Sequence, residues 1–379
     1  MTTPQHPLAA HFGDLPDPRL DRTKRHSLLD ILAIALAAVI CGGDGFAEME
    51  DFGNARLEWF SKFLELPNGI PSHDTFGRVL SMLDPTEFTR CFLAWTSALQ
   101  EKTEGQIVSL DGKQLRRSFD KASGVPAVTM VSAWCQDNSL VLGQVKVDDK
   151  SNEITAIPEL LRLLDLAGCT VTIDAAGTQR EIAHQIVEQE ANYVLAVKLN
   201  QPELHADVTA FLDNSIANRW VDYHGEPIEH SHFETRDADH GRIETRRYWC
   251  TADLSLVHGK ALWSALRSIA VVEAERIVDG KASVHRRYYI SSLPPDAKLI
   301  AHAIRQHWGI ENSLHWVLDM SFREDESRTR RDNAPANMAT LRHVAINMLR
   351  AEKSIKRSIN RKRLLAAWEP WYLERVLIN

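Results

Sequence analysis

The sequence predicts an α/β protein: a mixed sheet with inserted β structure, preceded by an all-helical N-terminal domain. Three observations lead there. The first hundred residues carry apolar positions at helical spacing, broken by Pro and Gly. From about residue 106 the pattern changes to short apolar runs of strand type. Helical and strand-like runs then alternate, as in sheets built with crossover helices. The composition is ordinary for a globular chain, with 379 residues, 44% apolar, 25% charged and a net charge of −7. It excludes a coiled coil, a collagen, a mostly disordered chain and a polytopic membrane protein.

The helical part reads as Leu28–Cys41, Phe46–Leu64, His73–Leu83 and Glu87–Leu99. Leu28–Cys41 is apolar and follows Lys24 and Arg25, like a secretory signal, but a long polar stretch precedes it and Asp30 interrupts it. It is also short of the roughly 20 residues of a membrane span, so a buried helix is expected. Ser72 is placed to cap the third helix and Thr86 the fourth. Short helices joined by a tight turn fit either a DNA-reading helix-turn-helix or a helical packing module. Glu101–Gly105 reads as a linker.

Strands follow at Gln106–Leu110, Ala127–Cys135 and Leu140–Val147, then a helix over Ser151–Leu166. A fourth strand at Cys169–Ile173, a helix at Gln179–Glu190, a fifth strand at Tyr193–Leu199 and a helix at Gln201–Leu212 complete the run. The order β-β-β-α-β-α-β-α is that of a ribonuclease H-like domain. Asp222–Leu254, Arg267–Glu273 and His285–Ser292 read as β structure inserted before a long last helix, Lys298–Met320. The five cysteines are spread out with no CxxC, which reads as buried reduced thiols rather than a zinc site.

Charge is uneven. Between Arg323 and Arg363 there are twelve Lys/Arg against five Asp/Glu, in a chain that is acidic overall. A local anionic partner such as nucleic acid is implied. Two acids stand at strand ends, Asp111 after the first strand and Asp174 after the fourth. In the predicted order those strands are neighbours, so the two carboxylates can converge. A single acid at a strand end usually caps the next turn; a pair also fits a metal site. Glu311 on the last helix is the candidate third member, with Asp319, Glu324 and Asp325 as rivals. Magnesium takes carboxylate oxygens and keeps several waters. Two ions about 4 Å apart would clamp the oxygens of an in-line phosphoryl transfer.

Other residues fit a nucleic-acid substrate. Lys113, Arg116 and Arg117 follow Asp111, and Lys198 and Asn200 follow the fifth strand. His240, Arg242, Arg246 and Arg247 with Trp249 interleave basic and aromatic character on the inserted strands, which suits unpaired bases and phosphates or a solvated strand face. His307 lies one turn before Glu311. Trp308 and Trp316, on the same helix, read mainly as core. Arg328, Arg330, Arg331, Lys353, Lys356, Arg357, Arg361, Lys362 and Arg363 form the basic end, expected to make DNA binding salt-dependent.

Longer stretches carry a resemblance. FGDLPDPR at Phe12–Arg19, IPSHDTFGRVL at Ile70–Leu80, LDGKQLRRS at Leu110–Ser118 and DKSNEITAIPELL at Asp149–Leu161 are followed by TIDAAGTQ at Thr172–Gln179 and YVLAVKLNQP at Tyr193–Pro202. HGRIETRRY at His240–Tyr248 and IRQHWGIENSLHWVLDMSFREDESRTR at Ile304–Arg330 complete the set. In this order, over nearly the whole chain, they resemble the H-repeat-associated (ISAs-type) insertion-sequence transposases of the DDE class. The resemblance implies Asp111, Asp174 and Glu311 as catalytic metal ligands, holding two Mg²⁺ ions for which Mn²⁺ substitutes. It implies cleavage and strand transfer at the ends of a mobile element, acting on double-stranded DNA ends and target. A homodimer would form the active complex, in the bacterial cytoplasm at the nucleoid and away from any membrane. The domains then read as 1–100 helical, for DNA binding or assembly, 104–350 catalytic with the β-rich insertion at about 215–292, and 351–379 a basic, aromatic tail. The wider DDE group often carries Tyr, Arg, Glu and Lys at set spacing on the last helix; Ile304, His307, Glu311 and Leu318 hold those positions here. The alternatives are a nuclease of the same fold that cuts without joining and a decayed DNA-binding remnant.

Overall fold

The computed structural model describes residues 8–99, 105–119, 124, 126–147, 151–239, 242–279 and 281–378. The expected linker lies almost wholly outside them, as do His240 and the side chain of Arg242. The chain is mixed α/β and divides into two compact units. One comprises Met1–Glu101, Gly112–Asn152 and Glu311–Asn379; the other comprises Lys102–Asp111 and Glu153–Ile310.

The first unit opens with six helices, α1 (Ala9–Phe12), α2 (Leu28–Ile40), α3 (Phe46–Ala55), α4 (Leu57–Phe60), α5 (His73–Met82) and α6 (Pro85–Leu99). The expected helix Phe46–Leu64 is thus split at Arg56. Helix α6, expected from Glu87, begins at Pro85, whose fixed φ suits a first turn. Its cap is Asp84, which accepts a hydrogen bond from the Thr86 amide at 2.8 Å, so Thr86 is not the cap. Strand β1 (Ile107–Gln114) enters this unit at Gly112, and β2 (Thr129–Cys135) and β3 (Leu140–Lys146) form an antiparallel hairpin.

The order of the second unit is α7 (Glu153–Leu163), β4 (Thr170–Ile173), α8 (Arg180–Glu188), β5 (Asn192–Val197) and α9 (Pro202–Ala217). Four long strands follow, β6 (Ser231–Asp239), β7 (Arg242–Thr251), β8 (Ser268–Val278) and β9 (Lys281–Ser291), and then α10 (Ala297–Gly309). The sheet order in this unit is β1-β4-β5-β9-β8-β7-β6. Strands β1, β4 and β5 are parallel and the rest antiparallel, so the added β structure continues the sheet through β5 and β9. Asp296 caps α10, its Oδ1 accepting from the amides of Lys298 and Leu299. Ile300, Ala301 and Ile304 then pack with Tyr248, Val272 and Val194.

Back in the first unit, a π-helical turn (Ile310–His315) leads into α11 (Trp316–Phe322), α12 (Ala334–Ala351), α13 (Ile359–Trp368) and α14 (Pro370–Ile378). Helix α12 is buried from Ala334 to Leu349 although it carries Asn337, Arg342, His343 and Asn347. Asn337 and Asn347 satisfy backbone that would otherwise be orphaned. Asn347 accepts from the Val141 amide and donates to the Val141 carbonyl, both at 2.9 Å, covering strand β3. The expected basic surface is corrected in part. Lys362 and Arg363 are buried, Arg363 stacking on the Phe322 ring at 4.0 Å and donating to the Val39 carbonyl, whereas Lys353, Lys356, Arg357 and Arg361 are exposed. No helix among the described residues is long and apolar enough to cross a membrane.

Candidate active site

In the second unit β1 pairs with β4 from Ile107↔Thr170 to Leu110↔Ile173. Asp111 and Asp174 are the next residues on the two strands, each directly past the last paired position. Strand β4 ends there, whereas β1 runs on to Gln114, so Asp111 lies inside its strand and not at the strand end expected from the apolar run. Each is half-buried. Asp174 Oδ1 accepts from the amides of Ala176 at 3.0 Å and Gly177 at 3.4 Å, so it does cap its turn and does so through one oxygen. Packing makes Gly177 necessary, because an added Cβ would lie 2.4 Å from Ile173 Cγ2 and 2.7 Å from Ile157 Cδ1. The turn is tied down from β5. Thr178 donates to the Ala196 carbonyl at 2.6 Å, Asn200 Nδ2 donates to the Ala175 carbonyl, and Gln201 Nε2 donates to the Thr178 carbonyl. Asn200 therefore supports the Asp174 turn, while Lys198 is exposed beside it.

A row of hydroxyls lies under these acids. Ser109 and Thr172 are buried cross-strand partners two residues before Asp111 and Asp174, on the same strand face. Thr172 donates to Ser109 at 3.0 Å, Ser109 reaches the Gln306 carbonyl at 3.4 Å, and Thr172 Oγ1 meets His307 Nδ1 at 3.0 Å. With the threonine proton directed to Ser109, the imidazole proton sits on Nδ1. Burial holds the His307 pKa below its ordinary value against the opposing charge of Asp174, leaving the ring neutral at pH 7. His307 is therefore not a cation for phosphate at neutral pH. Glu153, which the sequence reading did not single out, is half-buried at the start of α7. Burial and then the Asp174 charge raise its carboxyl above the usual range. Its only sequence signal was an acid in a first helical turn.

Among the described residues no three His, Cys, Asp or Glu side chains are gathered into a closed ligand set. Magnesium does not need one, since it is held through one or two carboxylates together with waters and substrate phosphates. Two hard-oxygen donors on adjacent strands, Asp111 and Asp174, fit such an ion.

Glu311 belongs to the first unit and is exposed within the π-helical turn, a feature that recurs at functional sites. Lys113 is not open to phosphate. Its Nζ lies 2.7 Å from Asp319 and 3.1 Å from Asp325. Arg116 pairs with Asp325 at 3.2 Å. Arg246 is held by Asp237 and Glu244, and Arg247 by Glu234, Glu273 and Glu275. Arg328, Arg330 and Arg331 are exposed, Arg330 donating to the Arg117 carbonyl and lying over the Phe119 ring at 5.3 Å. Trp308 is half-buried under the Arg287 guanidinium at 4.7 Å, whereas Trp316 is 58% exposed and so is not core.

Comparison with known proteins identifies the family. Residues 77–348 match the Transposase DDE domain family and residues 9–96 match the DDE_Tnp_1-associated family. The chain is 44% identical over 380 residues to "Putative transposase YncI" of Escherichia coli O157:H7, covering 98% of this chain and 94% of that one. It is 38% identical over 378 residues to "H repeat-associated putative transposase YhhI" of Escherichia coli K12, covering 98% and 97%. A short relative, 40% identical over 74 residues that cover 20% of this chain and 88% of its own, is named "Inactive transposase YbfQ", also of Escherichia coli K12. With the family model spanning most of the chain and relatives aligned nearly end to end, the chain belongs to the DDE transposases, among the H repeat-associated kind.

Proposed function

We propose that this chain cuts and joins DNA at the ends of an insertion sequence, with Asp111, Asp174 and Glu311 as catalytic carboxylates in a ribonuclease H-like core. The observation that carries the reading is the placement of Asp111 and Asp174 directly after the last paired positions, Leu110 and Ile173, of two adjacent parallel strands. Support for the core comes from three leading strands followed by the β4-α8-β5 crossover. Glu311 is assigned from the resemblance and from its π-helical turn. Divalent magnesium, for which manganese substitutes, would supply charge neutralisation at the phosphoryl oxygens and activate water when bound, as two ions. The three acids would hold the ions, and the Asp174 turn and the hydroxyl row on β1 and β4 keep the two aspartate strands fixed before substrate arrives. Water first attacks a phosphodiester to free a 3′-OH, and that hydroxyl then attacks target DNA. Both are in-line transfers that need position and charge rather than a protein nucleophile.

The DNA-binding assignment rests on exposed cations, with Arg328, Arg330, Arg331 and Lys198 in the lead and Lys353, Lys356, Arg357 and Arg361 beyond them. The helices of residues 1–100 and the C-terminal residues 351–379 would recognise DNA ends and hold a second copy in the active complex, at bacterial cytoplasmic DNA.

The test is cleavage of a plasmid carrying the element with its native flanks, in Mg²⁺, Mn²⁺ or EDTA. Metal-dependent cuts at discrete flanking positions are expected. Asp111→Asn, Asp174→Asn and Glu311→Gln should each abolish them while DNA binding persists. Cutting that survives in all three variants would remove the triad. Joining of a supplied 3′-OH end separates a transposase from a nuclease.

A further inference from the structure

The sequence pattern suggested that Lys113 meets DNA phosphates, but its surroundings in the first unit point elsewhere. Lys113 lies in β1 two residues after Asp111, on the same strand face. Its side chain is only 11% exposed. Nζ lies 2.7 Å from Asp319, at α11, and 3.1 Å and 4.0 Å from Asp325 and Glu324, in the turn that follows. Glu324 is buried and also faces Arg342 at 3.4 Å, and Asp325 also pairs with Arg116. Three cations thus meet three carboxylates. The network leaves no spare positive charge on Lys113 for a phosphate, and it joins the stretch just after Asp111 to the helix just after the Glu311 turn.

We infer that Lys113 is a positioning residue for Glu311 of the carboxylate triad: by clamping Gly112–Gln114 to α11 and the Glu324–Glu326 turn inside the first unit, it fixes the helix that follows the Glu311 turn. This rests on the triad proposed above. Partners that orient metal ligands are worth about tenfold to a hundredfold in metal affinity. A lysine on a phosphate instead contributes about one to the slope of log affinity against log salt.

The experiment compares Lys113→Met, Lys113→Arg and Asp319→Asn in the full chain. It reads the Mn²⁺ concentration for half-maximal cleavage, Mn²⁺ binding by electron paramagnetic resonance without DNA, and the salt slope of DNA binding. The expected result for Lys113→Met is at least a tenfold weaker Mn²⁺ response in both metal readouts with an unchanged salt slope. Asp319→Asn should shift the metal response the same way, and Lys113→Arg should restore part of it. If Lys113→Met does not fold, the other two variants carry the test. A salt slope lowered by about one with unchanged Mn²⁺ binding would overturn the inference, as would an Asp319→Asn variant with wild-type metal response. Failure of the triad itself is separate, since it would appear as cleavage retained by Asp111→Asn while Lys113 is intact.

Discussion

His343 allows the most quantitative prediction. It lies in the middle of α12 and is 2% exposed, its ring centroid 6.5 Å from that of Phe92. Nδ1 is buried without a hydrogen-bond partner among the described residues. Burial is the main reason its pKa falls from 6.5 to about 3, and the nearby His315, Arg342 and Lys113 charges add to it. That interval corresponds to about 5 kcal/mol, at 1.36 kcal/mol for each tenfold change. The sign follows from proton linkage. Below pH 6.5 the unfolded chain binds a proton at this residue and the folded chain does not, until the pH nears 3. The contribution is complete above pH 6.5 and falls by about 1.4 kcal/mol per pH unit below it, so that about 3 kcal/mol of it is lost at pH 4.5. Total stabilities of about 5–15 kcal/mol make that loss large. The assay is urea unfolding of wild type and His343→Met at pH 7.5 and pH 4.5. Carboxylate titrations common to both chains cancel in the comparison. Wild type should lose about 3 kcal/mol more than the variant over this range. Parallel losses would refute the reasoning, because a histidine that protonates in place cannot distinguish the two chains.

Two further predictions concern the candidate site. Gly177→Ala should cost about 1–3 kcal/mol in urea unfolding, because its Cβ would meet Ile173 and Ile157 inside van der Waals distance; a neutral substitution would show that the Asp174 turn relaxes freely. Thr172→Val removes the hydroxyl between Ser109 and His307, so it should destabilise by about 1–3 kcal/mol and release the Nδ1–H tautomer, seen as a change in the His307 ring nitrogen shifts by NMR; unchanged shifts would mean that the ring is set by another contact.

Much of the fold was legible because its signals are local. The long apolar run of α2, the short β-branched strands and the turn residues between them act over a few positions, so element types were recovered nearly in order. Boundaries slipped where local rules competed. At the start of α6, Asp84 and Thr86 are both good caps, and the backbone chose Asp84 with Pro85 in the first turn. The strand-end placement of Asp174 was likewise visible, since it needs only the end of an apolar run; Asp111 falls inside β1, which runs on to Gln114 past its apolar stretch. The π-helical turn at Glu311 was not visible, because a helix pattern does not show where one extra residue is accommodated.

The sequence by itself determined the element order, the two acids that follow the apolar runs of β1 and β4, and the family, all carried by neighbouring residues or by continuous motifs. Tertiary structure alone decided which charges are available. Lys113 finds Asp319 and Asp325 more than two hundred positions away, Arg363 is buried against carbonyls of α2, and Arg342 faces Glu324 inside the first unit. A charged side chain is stable in the interior only with partners arranged around it. Those partners come from distant parts of the chain, so composition can count the cations but only folding determines which of them remain for DNA.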